Sequence, residues 1–96
     1  MIAAAPALAE LAIRIANREL VSSLAVACSD LGEGFAAPPD SRRRIQAHQR
    51  AWTCLREIDR AVGAAGRARR APSDVVQRAQ RAIDRADVLV GALLPA

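Results

Sequence analysis

Between Ser41 and Gly66 the chain reads SRRRIQAHQRAWTCLREIDRAVGAAG, and Ile45, His48, Trp52, Leu55, Asp59, Val62 and Gly66 recur in it at alternating intervals of three and four. Five of those seven residues are apolar or small, and Ala51, Ile58 and Ala65 beside them widen the seam into a broad face. Side chains three and four apart lie on one side of an α-helix, so the spacing predicts a helix that buries that side against other helices. The stretch also carries the sole tryptophan, the sole histidine and one of two cysteines.

Such a helix needs partners, and the rest of the chain supplies them. Pro6 suits the first turn of a helix, where its missing N–H costs nothing. Leu8, Leu11 or Ala12, and Ile15 follow at helical spacing, with Glu10 and Arg14 as an i,i+4 pair outside. The next apolar series, Leu20, Leu24, Cys28, Leu31 and Phe35, starts out of phase with the first. The slip admits a break near Ala16–Asn17, with Asn17 as a cap, or one long helix with a shifted face. Without proline or glycine there to enforce a break, continuity is favoured. Gly32 and Gly34 weaken this helix and Ala36-Ala37-Pro38-Pro39 ends it. Asp40 or Ser41 caps the next. Gly63 and Gly66 loosen its end, and Arg67-Ala68-Arg69-Arg70 forms the connection. The last helix follows Pro72, with Ser73 as N-cap and Asp74 in the first turn. Its inward series is Val76, Ala79, Ile83, Ala86, Val90 and Leu93, widened by Val75, Ala82 and Leu89, and Pro95 stops it. Neither sustained alternation nor a hairpin turn signal occurs. Short connections between long helices imply antiparallel neighbours, so residues 1–96 are expected to form a single all-α domain, an up-and-down bundle of the four-helix type with a truncated or merged first helix.

Composition limits what this bundle can do. Hydrophobic residues make up 52% of the 96, but alanine supplies much of that, and Phe35 and Trp52 are the only aromatics. A core so poor in large side chains packs helices closely through alanine and gains from association with further copies, so a homo-oligomer is expected. All fourteen basic residues are arginine, against ten acids, for a net charge of +4. Arginine pairs bidentately with phosphate and carboxylate, which suits anionic partners. Two cysteines without a C-x-x-C and one histidine cannot complete a zinc site within one chain, and reduced thiols in a cytoplasmic protein are expected. The apolar N-terminus lacks a basic leader and is interrupted by Glu10 and Arg14, which argues against a signal peptide. No run reaches the length of a membrane span.

Two segments carry a resemblance. Glu19 to Phe35 reads ELVSSLAVACSDLGEGF and ends in Glu33-Gly34-Phe35; Ala51 to Glu57 reads AWTCLRE and runs into alanine-rich helix. Together with Pro72 to Leu94 they resemble the bacterial four-helix-bundle family of 23S rRNA intervening-sequence proteins, which includes the accessory variability proteins of diversity-generating retroelements. In that family one helix ends in an N-I-A-E-G-type segment and a later one carries A-x-G-S-L-x-E. Here Asp30, Leu31 and Gly32 depart from the first pattern, and Thr53-Cys54 replaces the glycine-serine of the second. The resemblance spans Glu19 to Leu94 and rests on Glu33, Gly34, Phe35, Trp52, Leu55 and Glu57. It implies a ring-like homopentamer with a basic surface and, for the retroelement members, binding to reverse transcriptase and to RNA or DNA.

Each candidate site has a plain structural reading beside it. Gly34 is expected as a left-handed residue at a helix end, with Glu33 bonded to a neighbouring helix. His48 lies on the inward seam with no orienting partner in sight, so a bonded bundle histidine is favoured over a general base. Glu57 with Asp59 and Asp84 with Asp87 sit beside Arg56, Arg60, Arg81 and Arg85, as intrahelical ion pairs would. The Glu-x-x-His motif of a di-metal bundle is absent. Trp52 is either core or an interface anchor, its inward position favouring core. Three basic patches remain for partners: Arg42, Arg43 and Arg44; Arg67, Arg69 and Arg70; and an outward stripe of Arg78, Arg81 and Arg85. With no aromatic expected at the surface, nucleic acid would be gripped by its backbone alone. The chain is therefore expected to be no enzyme, to need no cofactor or small-molecule substrate, and to act by binding.

Overall fold

The computed structural model describes residues 5–14 and 18–94. They form four helices, α1 (Ala5–Arg14), α2 (Arg18–Ala36), α3 (Arg42–Arg67) and α4 (Ser73–Gly91), with no strand among the described residues. Gly34 meets Ala47 and Asp30 meets Arg50, which sets α2 antiparallel to α3; Arg44 meets Leu93 and Arg56 meets Asp87, which sets α3 antiparallel to α4. α1 packs against both α2 and α4 and closes the ring of helices. This is the antiparallel bundle expected from the spacing of apolar residues, with a short first helix. Among the described residues no helix is long and apolar enough to cross a membrane.

The first helix is separate from the second. A single straight helix cannot turn the Leu8–Leu11–Ala12 face and the Leu20–Leu24 face to one core, whereas two packed helices bury all five residues. Ile15 and Asn17, on which the phase slip turned, lie outside the described residues, as does Pro95. With ten residues α1 is about 15 Å long, and α3 with twenty-six is about 39 Å. α1 therefore flanks only part of the bundle, and Glu10 against Arg78 places it at the end where α4 begins. At the opposite end Leu93, just past α4, packs against Gly34 of α2.

Gly34 makes that meeting possible, for a reason other than a left-handed turn. No glycine among the described residues has positive φ, and Gly34 lies within α2. A Cβ there would stand 2.7 Å from Leu93 Cδ2 and 3.0 Å from the Ala47 Cβ. The missing side chain lets Leu93, two residues past the end of α4, sit between α2 and α3, where it is fully buried. The left-handed positions are instead Asp40 (φ 64°) and Arg69 (φ 55°). Arg69 follows the C-cap Ala68, with its N–H donated to the Gly66 carbonyl at 3.2 Å and the Arg70 N–H donated to the Ala65 carbonyl at 3.0 Å. That is the bonding of a Schellman turn with arginine where glycine is usual. Ser41 caps α3, its hydroxyl accepting from the Arg44 N–H. At α4 Pro72 is the cap and Ser73 the first helical residue, so the helix starts one position earlier than the sequence suggests, with Ser73 inside it rather than capping it.

The buried face of α3 is rotated from the expected seam. Ala47, Ala51, Leu55, Ile58, Val62 and Ala65 are buried; Ile45, Trp52 and Asp59 are exposed, and His48 and Gly66 stand at the rim. Close packing explains the choice, because α2 and α4 approach α3 over its alanines, and an indole there would force them apart. Phe35 likewise falls outside the buried stripe of α2, which runs through Leu20, Leu24, Ala27, Leu31 and Gly34.

Candidate nucleic-acid interface

The structure divides the arginines into two kinds. Arg44 is part of the fold. Its Nε donates to the Leu93 carbonyl at 2.7 Å and its Nη2 to the Ala92 carbonyl at 3.3 Å, so it stabilises the C-terminal end of α4, where a cation also suits the helix dipole. Its guanidinium lies 5.4 Å from the centre of the Phe35 ring. Arg50 joins α3 to α2, with Nε 3.0 Å from Asp30 Oδ1 and Nη2 3.7 Å from Glu33 Oε2, so Glu33 reaches the neighbouring helix as an exposed ion pair rather than through a hydrogen bond. Arg56 pairs with Asp87 of α4, across helices rather than within one. Arg78 lies 3.2 Å from Glu10 and 3.6 Å from Asp74, and Glu10 also takes Arg14 at 3.6 Å.

Arg42, Arg43, Arg60, Arg67, Arg69, Arg81 and Arg85 are exposed and make no ion pair among the described residues. Arg70 is exposed in the same loop as Arg69. The three expected patches therefore change character. The first loses Arg44 to the fold, the α4 stripe loses Arg78, and the first and second stand at opposite ends of α3.

A fourth arrangement links those two ends. Arg42, Gln49, Thr53, Arg56, Arg60 and Arg67 follow one another at intervals of seven, four, three, four and seven, so they share the face of α3 opposite its buried seam. From Arg42 to Arg67 the stripe is about 38 Å long. Residues 42–70 hold nine arginines against two carboxylates, Glu57 and Asp59, while the remaining residues hold five arginines against eight carboxylates. The net positive charge of the chain thus belongs to α3 and the turn after it, and everything else is net negative.

Trp52 stands on the edge of this stripe, 50% exposed, with the Arg56 guanidinium 5.4 Å from the centre of its ring. Phe35 is 43% exposed at the end of α2. The surface therefore does carry aromatics, contrary to expectation. The signal was available: Trp52 lies beside the rim of a face whose centre is alanine, and alanine-lined helices leave no room for it.

Hollows on the surface are shallow and mixed. One of about 480 Å³ between α2 and α3 is lined by Glu19, Ser23, Glu57 and Arg60 among others. Another of about 300 Å³ contains Asp30, Arg50 and Cys54. Burial, with the Asp30 and Glu57 carboxylates, pushes the Cys54 thiol up, which keeps it protonated and weakly nucleophilic. Cys28 and Cys54 are both free thiols. No group of three or more metal-ligating side chains occurs among the described residues.

No protein-family model, curated protein or solved structure matches this chain.

Proposed function

We propose that the protein is a non-enzymatic helical-bundle accessory protein that binds RNA or DNA along the outward face of α3. The observation that carries this reading is the segregation of charge: a stripe about 38 Å long in which exposed arginines outnumber carboxylates, on a chain otherwise net negative. Arg42, Arg60 and Arg67 along α3, with Arg43, Arg69 and Arg70 at its ends, supply the phosphate contacts; Arg81 and Arg85 of α4 are secondary. Such contacts release counterions, so affinity falls linearly with salt on logarithmic axes, with a slope set by the number of phosphates engaged. Fluorescence anisotropy of a labelled RNA across a salt series tests it. A steep decline supports the reading, and salt-independent binding or none at all would remove it.

A second reading is favoured by exposed apolar residues away from the stripe: Ile13 of α1 is 77% exposed and Val88 of α4 is 73% exposed. They support self-association into an oligomer; the pentamer and the reverse-transcriptase partner of this reading come from the resemblance to intervening-sequence and accessory variability proteins. On this reading the bundle is a protein-interaction module, and nucleic acid is irrelevant to it. Light scattering together with the anisotropy titration separates the two, because self-association without any affinity for nucleic acid belongs to the second alone.

A further inference from the structure

We propose that Trp52 is a stacking platform for an unpaired nucleobase, so that the α3 surface takes single-stranded nucleic acid in preference to duplex. The inference rests on the reading of α3 as a nucleic-acid surface. The ring is half exposed yet held in place: the Arg56 guanidinium lies against it, and Arg56 is itself anchored across helices to Asp87. An aromatic fixed in this way loses little freedom when a ligand stacks on it.

Beside the ring is a hollow of about 200 Å³ bordered by His48, Gln49, Trp52 and Thr53. A space of about 150 Å³ holds a benzene ring, so the hollow has the capacity for one planar heterocycle. The Thr53 hydroxyl is already committed to the Gln49 carbonyl at 2.9 Å, which leaves the Gln49 amide and the His48 imidazole to meet a base edge. Both are compatible with more than one base, so the site favours an unpaired strand without reading sequence.

Position makes the ring useful. Trp52 lies ten residues after Arg42 and eight before Arg60, about 15 Å and 12 Å along the helix axis. A strand lying along α3 places phosphates on arginines to either side while a base reaches the ring between them. Of the carboxylates nearby, Asp87 is taken by Arg56, and Asp59 and Glu57 are the two acids of α3 itself. A duplex keeps its bases stacked on one another and hides their faces, so it gains the arginine contacts and nothing from the indole.

Because Trp52 is the sole tryptophan, its emission reports directly on the platform. The full chain is titrated with a short oligothymidylate and with a duplex of equal length. Emission is expected to be quenched by the oligothymidylate and left nearly unchanged by the duplex. Trp52→Ala is expected to weaken oligothymidylate binding about five- to hundred-fold, the range for loss of one stacked base, without altering duplex binding or the salt slope. Trp52→Phe is expected to retain most of the affinity. Equal quenching by both ligands, or a Trp52→Ala variant that binds oligothymidylate as tightly as the parent, would overturn the platform and leave the arginine surface standing. Failure of the parent to bind either nucleic acid would instead remove the underlying reading. Should Trp52→Ala split an oligomer while nucleic-acid binding persists, the indole is a subunit contact and the proposal fails.

Discussion

The two faces of α3 are built from the same spacing and are opposite in consequence. The inner face, Ala47 through Ala65, is small and apolar at its ends and large only at Leu55, Ile58 and Val62, and α2 and α4 close over it. The outer face repeats with the same rhythm but carries arginine and a half-exposed indole. The inner face holds the fold together and carries no net charge. Apart from Arg56, which ties α3 to Asp87 of α4, the outer face contributes little to the fold, and it carries most of the charge that a partner could use. Periodicity alone therefore says that a helix has a buried side; side-chain size says which side it is.

This contrast can be broken by exchange of effects between the faces. The largest expected effect is on the inner side, where Ile58→Ala should lower stability by about 2–5 kcal/mol, read by chemical denaturation, because both the buried surface and a cavity count against it. The outer Trp52→Ala should cost about 1 kcal/mol or less, since it loses only the Arg56 contact and partial burial. A Trp52 loss as large as that at Ile58 would place the indole in the core. Next is Gly34→Ala. The added methyl would press on Leu93 and Ala47, and overpacking of about 1–3 kcal/mol should exceed the gain of roughly 1 kcal/mol from replacing glycine in a helix. A more stable variant would show that the ends of α2 and α4 do not pack as described.

Arg69→Gly goes the other way. Its left-handed backbone, φ 55°, favours glycine, so the melting temperature should rise by an amount equivalent to about 1 kcal/mol even as one exposed positive charge is lost. Smallest is the effect at Cys54. The folded protein holds the thiol proton to higher pH than the unfolded chain, so the stability contributed by the neutral thiol is present below the ordinary thiol range and is lost as pH rises through the raised value. Asp30→Asn removes one of the charges that push the thiol up and should speed alkylation of Cys54 at about pH 8.5, followed by mass spectrometry. An unchanged rate would show that burial and Glu57 set it without Asp30.

Much of the fold is legible in the sequence because apolar spacing and helix breakers are strong local signals. Pro38 and Pro39 end α2, Ser41 caps α3, and the inward series of α4 is buried from Val76 through Leu93. The assignment of Trp52, Ile45 and Phe35 to the core fails because spacing identifies a stripe about a quarter-turn wide and the structure centres it on the smallest residues. Gly34 is legible as special but not in its reason, which needs Leu93, fifty-nine positions away in the chain. The division of the arginines is equally non-local. That Arg44 would cap α4, or that Asp87 would anchor Arg56, depends on how helices distant in sequence are brought together. The concentration of charge in residues 42–70, by contrast, can be counted directly from the chain.

The central claim is that position along α3, rather than total charge, makes the surface a nucleic-acid site. Arg42→Glu with Arg60→Glu, and separately Arg81→Glu with Arg85→Glu, change the net charge equally and touch no ion pair among the described residues. Anisotropy titration of both double variants with the same labelled RNA at one salt concentration compares them directly. The α3 variant should lose most of its affinity and show a shallower salt slope, while the α4 variant should lose much less. Equal losses in the two variants would contradict the claim and reduce the interaction to net charge.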